Sequence, residues 1–163
     1  MIPIYLGLGS NINPAEHLPQ GIAALRGLLG ACACSATYEG EALGFEGPPF
    51  WNLVVAAQTT LQVAELQHAL RSIEYRFGRP VNATRLSSRT LDIDILTYGD
   101  RCGLIDGVQL PRDEIQTAAF VLRPLAELAP DAIHPSLHRS YRDLWAAFDH
   151  ASQPLQLKSL MLA

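Results

Sequence analysis

The order of hydrophobic patterns along the chain limits its fold more than any other feature. Apolar runs of strand length occur at residues 4–8, 31–38, 50–60 and 91–98. Between these runs, apolar residues recur every three or four positions, which predicts amphipathic helices over 18–29 and 63–77. The predicted order of elements is therefore β-α-β-β-α-β.

This order is typical of an α+β, ferredoxin-like βαββαβ sandwich, in which both helices cover one face of a sheet. Beyond this unit we expect a C-terminal hairpin over 103–110 and short helices near 124–128 and 141–148. The chain shows no internal repeat and no linker, so residues 1–163 are predicted to form one domain. The sequence does not indicate what the tail, residues 150–163, packs against.

Composition argues against several classes of partner. The net charge is −4 and Lys158 is the only lysine, so we expect no binding to nucleic acid or to an anionic membrane surface. No apolar run approaches the roughly 18 residues of a membrane-spanning helix. Three cysteines without a complete set of metal ligands, and no evident targeting segment, predict a cytoplasmic protein, which we expect to be a monomer.

The most informative segment is the acidic strand that contains Asp92 and Asp94. Alternate side chains of a strand share a face, so both carboxylates should point away from the leucine and isoleucines beside them. Two facing carboxylates repel each other, and magnesium, which favours oxygen ligands shared with phosphates, would relieve that repulsion. The alternative is the solvated outer face of an edge strand. Because Arg79, Arg85 and Arg89 precede the pair, the segment favours phosphoryl transfer.

A second candidate site lies at the start of the strand predicted over 50–60. Phe50 and Asn52 are two residues apart and therefore share a face. A flat aromatic ring beside an amide suits a planar heterocycle, through stacking and paired hydrogen bonds. Phe50 alone would more often be a core residue. The glycine- and proline-containing loop over 39–49 is long enough to suggest a functional role.

Together these segments resemble the hydroxymethyl-dihydropterin pyrophosphokinase family, over nearly the whole chain up to about Phe148. The five elements that carry the resemblance are Tyr5 to Asn11; Leu43-Gly44 followed by Phe50 and Asn52; Ile73-Glu74 with Gly78-Arg79; Arg85 with Arg89 to Asp94; and Phe120 to Pro130. Few families combine these five elements in this order.

The resemblance implies an enzyme that moves a diphosphate from ATP to the pterin alcohol and leaves AMP. It implies that the pterin is contacted by Leu43, Gly44, Phe50, Asn52 and Phe120. It implies that ATP is contacted by Glu74, Arg79, Arg85, Arg89, Ile95 and Arg112. Two magnesium ions would be bound by Asp92 and Asp94, which with Arg79 and Arg89 form the implied catalytic set. Such a reaction needs positioning and charge neutralisation rather than a protein nucleophile.

The sequence departs from the family pattern mainly on the ATP side, at Val81, Asn82, Leu86, Ser87, Ser88, Arg112, Asp113 and Ala118. Leu86 replaces a tryptophan, Arg112 a histidine, and Ala118 an arginine that often contacts phosphate. A second hypothesis is therefore a diverged pterin-binding protein with weak, altered or no kinase activity. A nucleic-acid-binding module of the same fold would need a basic sheet face with exposed aromatics, which the two aspartates contradict.

Overall fold

The computed structural model describes residues 1–84 and 86–161. Its main elements in chain order are β1 (Ile2–Ser10), α1 (Pro14–Leu29), β2 (Ala33–Cys34), β3 (Thr37–Gly40), β4 (Phe50–Thr59), α2 (Val63–Arg76), β5 (Asp92–Tyr98), β6 (Gly103–Ile105), β7 (Val108–Leu110), α3 (Glu114–Thr117), α4 (Ala119–Leu128), α5 (Tyr141–Ala146) and β8 (Gln156–Lys158), with a 3-10 turn over His150–Ser152.

The main sheet has the strand order β5-β1-β4-β3-β8, with β2 also paired to β4. Every pairing in it is antiparallel. The predicted βαββαβ order is confirmed, and it places β5, the acidic strand, at one edge of the sheet. The hairpin predicted over 103–110 is confirmed as β6 and β7.

Each face of the sheet carries its own hydrophobic core. On one face, Leu6 and Ile93 are buried together with Ile22 of α1 and Leu70 of α2, so both helices cover the same side as expected. On the other face, a second core forms around α4 and α5, and its buried side chains include Val54, Leu96, Leu122, Leu125 and Tyr141. The site described below opens on this second face.

The strand predicted over 31–38 is wrong in detail, because the chain forms two strands there. Ser35 lies between β2 and β3, and its hydroxyl accepts a hydrogen bond from the Val54 N–H at 2.8 Å. The Ser35 N–H donates to the Val54 carbonyl at 2.9 Å. A side-chain oxygen thus replaces a backbone partner, which interrupts the ladder while the chain stays beside β4.

The C-terminal part of the chain returns to the sheet. Helix α4 begins at Ala119, five residues earlier than the helix expected near 124–128, so Phe120 is helical. The tail forms β8, which pairs with Thr37 to Glu39 of β3 and extends the sheet. Among the described residues, no helix combines the length and hydrophobicity required to cross a bilayer.

Candidate active site

A cavity of about 320 Å³ opens on the α4 side of the sheet, where β1, β4 and β5 lie side by side. Of the residues that the resemblance assigns to pterin, ATP or metal, eight line it together: Leu43, Phe50, Asn52, Arg89, Asp92, Asp94, Arg112 and Phe120. These residues come from four separate stretches of the chain, so the fold assembles the two candidate sites into one.

The carboxylate pair faces this cavity. Asp92 and Asp94 both line it, whereas Ile93 and Ile95 are buried in the core under α1 and α2. The predicted alternation of side chains along β5 is therefore confirmed. The alternative interpretation of these aspartates was a solvated outer face of an edge strand. β5 is indeed an edge strand, but its aspartates line a cavity.

The surroundings of the two aspartates disfavour two negative charges. Burial and then the charge of Asp92 raise the pKa of Asp94 to about 7, against the opposing effect of Arg112. Burial and then the charge of Glu74 raise the pKa of Asp92. A divalent cation would relieve this repulsion, so the pair fits magnesium chemically. Among the described residues no group of three or more His, Cys, Asp or Glu side chains could hold a metal, so a cation at this pair would need further ligands from outside that set.

Two arginines bring positive charge to the same cavity. The side chain of Arg112 donates from Nε to Glu114 at 2.7 Å and lies 3.7 Å from Asp94 Oδ2. Arg89 is 6% exposed, and its guanidinium is held by the Ser87 hydroxyl and the carbonyl oxygens of Thr84 and Ser88. The arrangement places guanidinium groups beside carboxylates, as binding of a metal-bound phosphate requires.

Glu74 does not line the cavity. It is fully buried, and its carboxylate accepts hydrogen bonds from Arg71 at 2.5 Å, Arg79 at 3.0 Å and the Ile93 N–H at 2.7 Å. The carboxylate is thus occupied within the protein and lies outside the cavity walls, and the contact between Glu74 and ATP stays a prediction of the resemblance. Glu74 instead joins α2 to β5 and fixes Arg79.

Three other residues are implied to contact ATP. Two of them, Arg79 and Ile95, do not line the cavity, and the third is Arg85. Arg79 forms an ion pair with Glu74 and does not line the cavity. Its Nε is buried and has no hydrogen-bond partner among the described residues. The Ile95 side chain is 2% exposed and packs on the opposite face of the sheet, which separates it from the predicted site. Arg85 lies outside the described residues.

The aromatic end of the cavity contains an amide that lacks a partner. Asn52 is 8% exposed, and its Nδ2 is buried without a hydrogen bond to any described residue. Its Oδ1 lies against Gly9, where an added Cβ would come within 2.6 Å of it. Phe50 and Phe120 line the same cavity. A free donor between aromatic side chains is the chemistry expected for a flat, hydrogen-bonding ring.

The glycine- and proline-containing loop before β4 contributes one wall. Leu43 is 47% exposed and lines the cavity. Gly44 has a φ of 85°, a left-handed conformation that favours glycine, and an added Cβ would lie 3.0 Å from Leu86. Among the described residues, Gly44 is not one of those that line the cavity. It turns the loop so that the loop packs against Leu86, the residue that replaces the expected tryptophan.

The structure also shows where the departures on the ATP side lie. Arg112 lines the cavity beside Asp94, so its guanidinium is placed to supply the positive charge that the family's arginine would bring at position 118. Ala118 is a buried residue of the cavity wall. Arg123 lies over the Tyr38 ring at 4.4 Å and lines a different pocket, so it does not add a positive charge to this cavity.

Sequence reasoning missed the part played by Asn11. Its Oδ1 accepts from the Arg89 N–H at 2.8 Å, and its Nδ2 donates to the Pro48 carbonyl at 3.0 Å and to the Ser88 hydroxyl at 3.1 Å. One side chain thus joins the end of β1 to both loops beside the cavity. The signal in the sequence was a lone amide directly after a buried strand. Glu114, the ion-pair partner of Arg112, carried no comparable signal.

Comparison with known proteins agrees with this site. Residues 5–130 match the model of the family described as 7,8-dihydro-6-hydroxymethylpterin-pyrophosphokinase (HPPK). The chain is 37% identical over 133 residues to a 2-amino-4-hydroxy-6-hydroxymethyldihydropteridine pyrophosphokinase of Synechocystis sp.. That alignment covers 80% of this chain and 68% of the Synechocystis protein. The chain is 39% identical over 132 residues to the protein of the same name from Pseudomonas aeruginosa, which covers 78% of this chain and 81% of that one.

A solved structure of Plasmodium falciparum HPPK-DHPS has the same fold. It matches with a TM-score of 0.70 at 15% sequence identity. The match covers 90% of this chain but 43% of that chain, so it supports the architecture alone. The sequence matches go further, because they extend over most of this chain and over most of the two curated relatives. The chain belongs to the 7,8-dihydro-6-hydroxymethylpterin-pyrophosphokinase family.

Proposed function

We propose that this protein transfers a diphosphate group from ATP to the hydroxymethyl oxygen of 6-hydroxymethyl-7,8-dihydropterin, a step of folate biosynthesis that releases AMP. The observation that carries the proposal is one cavity that joins a buried, unpartnered amide and two aromatic rings to a carboxylate pair and two arginines. The names of the Synechocystis and Pseudomonas aeruginosa relatives support the same reaction.

The aromatic end of the cavity is proposed to bind the pterin. Asn52 Nδ2, buried without a partner, donates to an acceptor atom at the edge of the ring, and this fixes the ring orientation. Phe50 and Phe120 stack on the ring, while Leu43 contributes apolar contact from the loop. Gly44 supports that loop through its left-handed turn.

The polar end is proposed to bind the triphosphate. Arg89 is held by three oxygens of its own loop, so its charge is already oriented and little side-chain entropy is lost on binding. Arg112 turns from Asp94 and Glu114 toward phosphate oxygens when the nucleotide enters. For Arg79 and Arg85, the family resemblance alone supports contacts to ATP.

Asp92 and Asp94 are proposed to hold two magnesium ions. Their shared face and the repulsion between them support this role, because both carboxylates are more stable as anions beside a cation. When bound, magnesium neutralises the charge on the phosphate oxygens and aligns the chain of phosphates. The hydroxymethyl oxygen bonds to the β-phosphorus and its hydroxyl proton is released to solvent, while the bond from that phosphorus to the oxygen bridging to the α-phosphate breaks and AMP leaves with that oxygen.

The products of a defined reaction test the proposal. Full-length protein is mixed with ATP, magnesium and 6-hydroxymethyl-7,8-dihydropterin, and the products are separated and identified by mass. Equal amounts of AMP and pterin diphosphate are expected. Formation of ADP would contradict diphosphate transfer, and pterin binding without any nucleotide product would support the binding-only alternative.

A further inference from the structure

The joint between α3 and α4 forms part of the cavity wall. Thr117 ends α3, Ala118 follows it, and Ala119 begins α4. Phe120, one residue into α4, carries a ring that lines the cavity. Ala118 is the residue before the helix, and alanine has no side-chain acceptor for the first free N–H groups of a helix. Another group must therefore satisfy the backbone at this joint.

That group is the side-chain amide of Gln153, from the C-terminal tail. Its Oε1 accepts a hydrogen bond from the Ala119 N–H at 2.9 Å, and its Nε2 donates to the Thr117 carbonyl at 2.8 Å. One amide thus bonds both sides of the joint at once. The contact spans more than thirty positions of sequence, from 117–119 to 153, and it stands in for the missing N-cap of α4.

The tail around Gln153 is itself fixed in place. Two residues later, the Leu155 side chain packs directly on Gly40 of β3. A Cβ added at Gly40 would lie 2.9 Å from Leu155 Cδ2. Strand β8 then pairs with β3. On the other side, His150 stacks on Trp145 with ring centroids 4.0 Å apart. The amide is therefore presented from a supported segment, which lies beyond residues 5–130 that match the family.

We infer that Gln153 is a positioning residue for pterin binding, which it serves by fixing the start of α4 and hence the direction of the Phe120 ring. The inference rests on the proposed function, since it takes Phe120 to contact the pterin. Gln153 touches no ligand in this scheme. Its loss changes the aromatic end of the cavity and leaves the two aspartates and Arg89, which lie on other segments, in place.

Steady-state kinetics of the full-length Gln153→Ala variant test this inference. Loss of the amide is expected to raise KM for the pterin about five- to tenfold, the effect of roughly one well-placed hydrogen bond, with KM for ATP changed by less than about twofold. Gln156→Ala is the matched control, because Gln156 is an exposed glutamine on the same segment. It should keep both KM values.

A second variant separates positioning from simple destabilisation. Gln153→Glu keeps the length of the side chain and an acceptor for the Ala119 N–H, but it sets an oxygen against the Thr117 carbonyl. Its KM for the pterin should fall between those of wild type and Gln153→Ala. Unchanged pterin KM in Gln153→Ala, or equal rises in KM for pterin and ATP, would overturn the inference. Absence of turnover in the wild type would instead refute the proposed function.

Discussion

Two carboxylates, Asp92 and Asp94, lie on one face of an edge strand and line the same cavity. The pKa of Asp94 is raised from 3.8 to about 7, first by burial and then by Asp92. Since the folded-state pKa lies above the unfolded one, folding favours the protonated form. The stability that protonated Asp94 contributes is complete below about pH 4 and is lost as the pH rises through about 7.

The Asp94→Asn variant should therefore be more stable than wild type at alkaline pH when magnesium is removed. An amide cannot ionise, so the midpoint of thermal unfolding should rise at about pH 8, by roughly 2–4 °C for each kcal/mol of relieved repulsion, and the difference should shrink toward pH 4. Thermal unfolding in a chelator measures this. Asp100→Asn, at an exposed turn, is the control, and a lower midpoint for Asp94→Asn at pH 8 would contradict the repulsion.

A second prediction concerns the close approach of Gly9 to Asn52. A Cβ at Gly9 would lie 2.6 Å from Asn52 Oδ1, so Gly9→Ala should displace the amide and weaken pterin binding about tenfold or more. The φ of Gly9 is not in the left-handed region, so the fold should survive. Pterin titration by fluorescence or calorimetry checks this against Gly27→Ala, whose Cβ would meet nothing within 4 Å. Unchanged affinity in Gly9→Ala would count against the role of Asn52.

Single residues were predictable from the sequence where alternation along a strand decided their direction. That rule placed Asp92 and Asp94 on the cavity side. The same rule places the Ile95 side chain with that of Ile93 on the opposite side, away from the cavity. Glu74 could not be predicted in this way, because its partners come from α2, the following loop and β5, and meet only in the fold.

Among the elements, the end of β1 controls the loops around the cavity. Asn11 is 5% exposed and bonds to Pro48, Ser88 and the Arg89 N–H. It therefore couples the loop that carries Leu43 to the segment that carries Arg89. These contacts stabilise the open rim of the cavity from its buried side.

The Asn11→Ala variant should lose stability and loosen both loops. It leaves the buried Arg89 N–H without a partner, which costs about 1–3 kcal/mol of unfolding free energy. Urea unfolding measures the loss, and amide hydrogen exchange should speed up near 45–50 and 86–89. Asn82→Ala, in an exposed turn, is the control. An unfolding free energy within about 0.5 kcal/mol of wild type would show that Asn11 does not join the loops.

Element boundaries followed from the sequence except where side chains or prolines altered local bonding. The break at Ser35 could not be predicted, because a serine hydroxyl replaces a backbone acceptor only when β4 lies beside it. A short helix was expected over 124–128. Helix α4 begins at Ala119 instead, with Pro124 inside it.

At the level of the whole molecule, the βαββαβ order could be predicted because the strands appear as short apolar runs and the helices as apolar residues spaced three or four apart. The structure of the tail could not be predicted, since β8 has only three residues and therefore shows no recognisable hydrophobic pattern. Its pairing with β3 joins segments far apart in sequence, which no local rule predicts. The tail thus extends the sheet and carries Gln153 to the joint between α3 and α4.

The central claim is that Asp92 and Asp94 together hold the metal that diphosphate transfer requires. The most direct measurement is the rate of AMP formation from ATP and 6-hydroxymethyl-7,8-dihydropterin as magnesium is increased. Wild type and Asp100→Ala should form AMP only with magnesium, while Asp92→Ala and Asp94→Ala should each be slower by about a hundredfold or more at saturating metal. Wild-type rates in either cavity variant, or AMP formation without a divalent cation, would contradict the claim.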